Sequence, residues 1–289
     1  MNAIYDVAAP AKLNFFLHVV GRRADGYHLL QSLFVLIDWC DTLHFELRAD
    51  AVLRRHDFGA TLPVDDLCLR AARLLQDASG SSRGADISID KRVPSGAGMG
   101  GGSSDAASTL LALNRLWGLN WPRSRLLALG LQLGADVPFF IGGHNAVVEG
   151  IGERLTPLSV AEQWLAVVKP PASIETRTLF ASPLLVRNGR PATLESLIQA
   201  VEYDVSPAGF GVNHLQIAAQ AECAQVTEAV SGLHSQFGNS RMTGSGSAVF
   251  ARAGSGVQAS AEMPEQEPGW AGRMCRSLSA HPLVGWAAD

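Results

Sequence analysis

The sequence predicts an α+β fold in two domains. Stretches of strand alternation and of helical spacing interleave along it, its 289 residues exceed one ordinary domain, and 47% of them are apolar, enough for a substantial core. Within 12–18, Leu13, Phe15 and Leu17 alternate with Lys12, Asn14, Phe16 and His18, a strand that sets Lys12 and Asn14 on one face. Asp25-Gly26 turns the chain into a second strand over 29–38, and Leu43, Phe45 and Leu47 mark a third, so the chain opens as a β-meander. A helix then starts from Asp65 or Asp66 as N-cap, with Leu67, Ala71 and Leu74 at helical spacing.

The segment 85–91 returns to period two, with Ile87 and Ile89 opposite Ser88 and Asp90, and carries Lys91 to the edge of a glycine-rich loop. After the loop, Ala106, Leu110, Leu113 and Trp117 form the stripe of a helix capped by Ser103, Ser104 or Asp105. A helix over 123–133 ends at Gly134. Strands over 145–149 and 164–169, helices over 194–200 and 216–230, and strands over 248–251 and 273–278 complete the pattern. The polar stretch 254–269 reads as a surface insertion, and the domain boundary falls near 150–157, giving domains over 1–155 and 156–289.

The net charge of −4 argues against a protein that coats nucleic acid, because such domains carry a basic face. No run of eighteen apolar residues and no signal-peptide pattern occurs, so a cytoplasmic protein without a membrane partner is expected, as a monomer or a homodimer. Cys40, Cys68, Cys223 and Cys275 stand far apart without metal-ligand spacing and read as buried thiols. The only lysines, Lys12, Lys91 and Lys169, each adjoin a candidate motif and supply compact point charges for small anionic partners.

Pro94-Ser-Gly-Ala-Gly-Met-Gly-Gly-Gly-Ser-Ser-Asp105 places five glycines between a strand and a helix, so bare backbone N–H groups can converge on an anion. The helix N-terminus favours phosphate, and the hydroxyls of Ser103 and Ser104 can reach a phosphate oxygen or Mg²⁺. Other phosphate loops fail on context. A dinucleotide fold wants an acid about twenty residues onward and a Walker loop ends in GK[ST], and neither is present; a protein kinase needs HRD together with DFG, and although Asp57-Phe58-Gly59 occurs, before the glycine loop, HRD does not. A second glycine-rich turn, Thr243-Gly-Ser-Gly-Ser247, leads into an apolar strand. Between the loops Asp136 sits in a short polar break, where it either caps a turn or, if it meets Lys12, forms a pair able to draw a proton from an alcohol.

Together these residues resemble the GHMP kinases, the superfamily of galactokinase, homoserine kinase, mevalonate kinase and phosphomevalonate kinase. The resemblance spans nearly the whole chain through Pro10-Ala-Lys-Leu-Asn14, Gly21-Arg-Arg-Ala-Asp-Gly-Tyr-His28, the glycine loop, Gly134-Ala-Asp-Val-Pro138 and Met242-Thr-Gly-Ser-Gly246. It implies an N-terminal βαβ-type domain and a ferredoxin-like C-terminal domain with the active site between them. It further implies phosphoryl transfer from ATP, with Mg²⁺, to an alcohol, and Lys12 and Asp136 as the catalytic pair. Pro94, Gly96, Gly98, Gly100, Gly101, Gly102, Ser103, Ser104 and Asp105 would surround ATP, with Ser104 a candidate Mg²⁺ ligand. Asn14, Lys91, Thr176, Gly244 and Gly246 would touch the acceptor.

The DGYH segment implies an acceptor that carries cytidine and is phosphorylated on a polyol 2-hydroxyl. Tyr27 and Phe180 would stack on the cytosine, with His28 bonding its edge; without the resemblance, Tyr27-His28 reads as a solvent-facing hairpin. Asp66 and Asp105 stand where the family pattern often has asparagine, and His214 and Gln216 replace an Asp and a Glu. The rival reading is a nucleotide sensor without turnover, against which the retention of Lys12 and Asp136 weighs. A mevalonate-type or homoserine kinase would leave Tyr27-His28 without a purpose.

Overall fold

The computed structural model describes residues 1–59, 61–193, 195–196 and 212–289. Two long antiparallel strands, β1 (Ala3–Arg22) and β2 (His28–Arg48), form its first sheet's centre. β2 gives its other edge to β4 (Gly84–Asp90) along 42–48 and to β5 (Ala146–Gly150) along 30–34. β3 (Leu53–Phe58) runs parallel to β4, and β6 (Arg154–Pro157) closes the far edge on β5.

The expected meander of three strands is therefore a ribbon of two. At Pro10/Ala11 the register jumps from Cys40 to Ile37, a bulge across which the alternation of β2 changes faces without the strand ending. Leu33, Val35 and Ile37 pack toward the second sheet, whereas Leu43 and Phe45 pack toward the helices. Asp38 and Trp39 are left unpaired with β1 there and the buried side chains of both strands change faces across the bulge, Ala9 toward the helices and Ala11 toward the second sheet, which is why the sequence reads as two strands.

Helices α1 (Leu67–Ser79), α2 (Gly101–Leu116), α3 (Arg123–Leu133) and α4 (Val137–Gly142) cover one face of this sheet. Asp66 caps α1 by accepting the Leu69 N–H at 3.1 Å. α2 is buried nearly all round, and leucines such as Leu110 and Leu113, fully inaccessible, contribute about 1.5–3 kcal/mol each by leaving water.

The other face packs on a second antiparallel sheet, β10 (Ala271–Arg276), β7 (Trp164–Lys169), β9 (Val249–Arg252) and β8 (Arg241–Met242) in that order. Leu13, Val35, Val167 and Phe250 meet between the sheets. α6 (Gln216–Glu222) and α7 (Ala224–Phe237) cover the outer face through Ala218, Val226 and Leu233. The single helix expected over 216–230 is broken at Cys223, whose backbone is extended. The short α5 (Thr176–Ala181) follows β7, and the helix expected over 194–200 falls mostly outside the described residues. No helix among the described residues is long and apolar enough to cross a membrane.

Candidate active site

The alternation of β1 puts Lys12 and Asn14 on the same side, and the Lys12 ammonium donates to Asn14 Oδ1 at 2.6 Å and to the Gly98 carbonyl at 2.9 Å. It lies 4.6 Å from the centre of the Phe34 ring and 3.8 Å from Asp136 Oδ2. Burial lowers the Lys12 pKa from the ordinary lysine range, and Asp136 opposes that shift. Asp136 precedes α4 but makes no side-chain cap. Of the two roles open to it in the sequence, the geometry selects the pairing with Lys12.

The glycine loop enters α2 at least three residues earlier than the expected cap at Ser103, Ser104 or Asp105. Gly100 is the N-cap, at φ 70° and without a side-chain cap, so Ser103, Ser104 and Asp105 lie inside the helix. Ser103 faces the loop cavity, whereas the Ser104 hydroxyl is fully buried with no hydrogen-bond partner. Gly98, at φ 71°, lets the two glycine-rich loops touch: a Cβ there would stand 2.4 Å from the Thr243 carbonyl. Gly98→Ala is expected to destabilise the protein by about 1–3 kcal/mol and to raise the KM for ATP, because it adds left-handed strain and separates the loops. Denaturant titration and steady-state kinetics check this, and an unchanged pair of values would deny the loop contact any importance.

Gly244 lines the same cavity as Lys12, but Gly246 lies behind it, against Gly98 and Met242. The turn is held from below by residues whose role the sequence left open. Asn213 Nδ2 donates to the Met242 and Gly244 carbonyls at 2.7 and 2.8 Å, and Gln216 Oε1 accepts the Met242 N–H at 2.9 Å. His214 Nδ1 accepts the Val19 N–H at 3.0 Å.

Lys91 does not line the cavity that holds Asn14. It lines the glycine-loop cavity, paired with Asp105 at 2.7 Å and with Asp41. Asp41, fully buried in the β2 bulge region, also accepts the Arg92 and Val93 N–H groups at 2.6 and 2.8 Å. Sequence reasoning missed it, although an acid inside an apolar strand was a signal. Burial pushes the Asp105 carboxyl well above the usual carboxylate range, with Lys91 opposing and Asp41 adding to the shift. Asp66 lines this cavity too, while its carboxylate caps α1 and pairs with Arg55 at 2.6 Å.

Three cavities meet in series. The glycine-loop cavity, about 440 Å³, shares Gly98 and Gly100 with an inner cavity of about 240 Å³ that contains Lys12, Asn14 and Asp136. The inner cavity shares Leu30, Ile151, Thr176 and Phe180 with an outer one of about 620 Å³, where Tyr27 and His28 stand. Thr176 is tied to Ser245 of the second turn by a 2.8 Å hydroxyl contact. His28 stacks on Phe180 with ring centroids 4.8 Å apart, and its buried Nε2 has no partner. Burial, then Arg22 and Arg187, lower the His28 pKa, which keeps the ring neutral near pH 7. Tyr27, 63% exposed, stands at the rim, so Tyr27 and Phe180 border one cavity while one face of Phe180 is taken by His28.

Comparisons with known proteins show which family the chain resembles. The family model described as the GHMP kinases N terminal domain matches residues 66–144. The 4-diphosphocytidyl-2-C-methyl-D-erythritol kinase of Methylibium petroleiphilum is 63% identical, covering 99% of each chain, and that of Albidiferax ferrireducens is 53% identical, covering 100% of this chain and 97% of the relative. A crystal structure of 4-(cytidine 5'-diphospho)-2C-methyl-D-erythritol kinase superposes with a TM-score of 0.73 at 35% identity, over 85% of this chain and 89% of that one. Homoserine kinase from Cytophaga hutchinsonii, at 17% identity and a TM-score of 0.69 over 97% and 96%, shares the fold. With identity of this extent over its whole length, the chain belongs to the 4-diphosphocytidyl-2-C-methyl-D-erythritol kinase family within the GHMP kinases.

Proposed function

We infer that the three cavities hold, from the rim inward, the cytidine, the polyol and the ATP phosphates of one phosphoryl-transfer reaction. The chain is an ATP-dependent kinase for the 2-hydroxyl of 4-(cytidine 5'-diphospho)-2-C-methyl-D-erythritol, a step of non-mevalonate isoprenoid synthesis. The observation that carries the residue assignment is the placing of the Lys12–Asp136 pair in the middle cavity, between a base-sized cavity and a glycine loop. Asp136 accepts the hydroxyl proton. Lys12 steadies charge developing on the attacking oxygen, and the loop amides before α2 take up charge on the transferring phosphoryl group. Residues 1–155 supply the ATP loop and the catalytic pair; 156–289 supply Thr176, Phe180 and Gly244.

Mg²⁺ would be held by oxygen donors in the first turn of α2, Ser103 facing the glycine-loop cavity and the neighbouring orphaned Ser104 hydroxyl, together with the phosphates. When bound it would offset negative charge on the phosphates. The proposed setting is the cytoplasm, with ATP and the cytidylated alcohol as small-molecule partners.

The cytidine is far from the reacting hydroxyl, so its binding energy serves to align the alcohol. Base stacking contributes roughly 1–3 kcal/mol, and the free His28 Nε2 can bond the base edge. Methylerythritol phosphate lacking the cytidine is therefore expected to have kcat/KM lower by about 10- to 100-fold or more, with both kcat and KM affected. Tyr27→Ala and Phe180→Ala should narrow that preference and leave the KM for ATP unchanged. Equal kcat/KM for the two alcohols in the wild type would sink the base assignment.

A further inference from the structure

We infer that Arg123 is a positioning residue for Asp136, acting through α4. The inference rests on Asp136 being the base. Arg123 opens α3, and its side chain is nearly enclosed, at 11% exposure. One arm of its guanidinium donates to the Ile141 carbonyl at 2.7 Å, at the end of α4. The other donates to the Val284 and Ala287 carbonyls at 2.5 and 2.9 Å, and the Arg123 N–H donates to the Ala288 carbonyl at 2.6 Å. A single planar fork thus ties α4 to the last residues of the chain, a geometry that lysine's single ammonium cannot reproduce in full.

Those last residues arrive from the other half of the molecule. After β10 the chain crosses back, with the Leu278 N–H donating to the Leu36 carbonyl at 2.8 Å and the His281 N–H to the Gly143 carbonyl at 2.8 Å. Gly143 is the left-handed cap of α4, and Val284 lies so close that a Cβ on Gly143 would meet it at 3.0 Å. The end of α4 is gripped from two sides.

The other end of α4 begins at Asp136. The helix has six residues, and all its apolar side chains are buried, so it moves as one piece. Phe139 lies edge-on to Phe34, at 5.2 Å between centroids, and Phe34 is the ring beneath the Lys12 ammonium. Phe140 stands 3.0 Å from where a Cβ of Gly100 would be. α4 therefore touches the catalytic carboxylate, the floor under the catalytic ammonium and the entry of α2. Loosening its far end shifts the acid against the hydroxyl it serves.

Arg123→Ala is expected to lower kcat by about 10- to 100-fold, with the KM for the cytidylated alcohol nearly unchanged because the base is held elsewhere. Arg123→Lys, which keeps a donor for Ile141, should recover part of the loss. The decisive measurement is kcat at saturating substrates for Arg123→Ala, Asp136→Asn and the double variant, at a temperature well below each melting point. If Arg123 acts through Asp136, its removal costs less than about threefold once Asp136→Asn is in place. A lowered Tm with unchanged kcat overturns the inference, and so does a loss that multiplies fully in the double variant. Should Arg123→Ala not fold, Arg123→Lys and removal of 284–289 replace it in the same cycle. If Asp136→Asn alone retains wild-type turnover, the assignment of the base falls and this inference with it. A slow Asp136→Asn enzyme beside an indifferent Arg123→Ala enzyme refutes only the role of Arg123.

Discussion

Asp136→Asn is expected to lower kcat by about 10²–10⁴ while changing the KM of either substrate only modestly, because an amide cannot accept the hydroxyl proton. The substitution is a mild one for the fold. The carboxylate is one-third exposed and caps nothing, so the variant should fold and bind, and the loss should sit in the chemical step. Steady-state kinetics with the cytidylated alcohol and ATP measure it. Turnover near the wild-type value would remove Asp136 from the mechanism.

Lys12→Met should reduce kcat by about 10²-fold or more, since it removes the buried cation from beside the reacting oxygen and leaves the apolar stem in place. A variant altered in stability alone would make Lys12 structural. The wild-type pH dependence supplies a second test. Burial lowers the Lys12 pKa in the native protein, so the ammonium loses its proton at a lower pH than in the unfolded chain. Between those two pKa values the unfolded chain binds more protons, and the contribution of this group to stability rises with pH. Turnover should fall over the same interval. Activity and stability therefore move in opposite directions across the alkaline limb, and the residual activity of Lys12→Met should be flat there.

Much of the architecture was legible because local pattern and tertiary environment agree. α1 starts at Asp66, α3 ends at Gly134, and β4 delivers Lys91 to the loop, as capping and alternation required. The failures have definite causes. Across a bulge in β2 the alternation changed faces and looked like a turn, and an extended Cys223 broke a helix whose apolar spacing continued through it. Around the site, spacing placed Lys12 beside Asn14, and the left-handed Gly100 allowed α2 to begin before the serines. What no local pattern contained was partnership at long range. Lys91 is drawn to Asp41, fifty residues away in sequence, and the second glycine turn depends on Asn213 and Gln216. Such pairings are set by how the sheets stack, which alternation within one strand does not encode.

β1 has a consequence for how the molecule comes apart. Along its length Val7 and Ala9 enter the core beneath the helices, Leu13 and Phe16 the core between the sheets, and Leu17 and Val19 the core of the second sheet. One unbroken strand is thus a shared structural member of all three. The halves are joined through their interiors rather than by a linker, so neither retains a complete core when severed from the other. Melting should propagate along this spine as one cooperative event, and a cut within β1 would be felt at both ends of the protein.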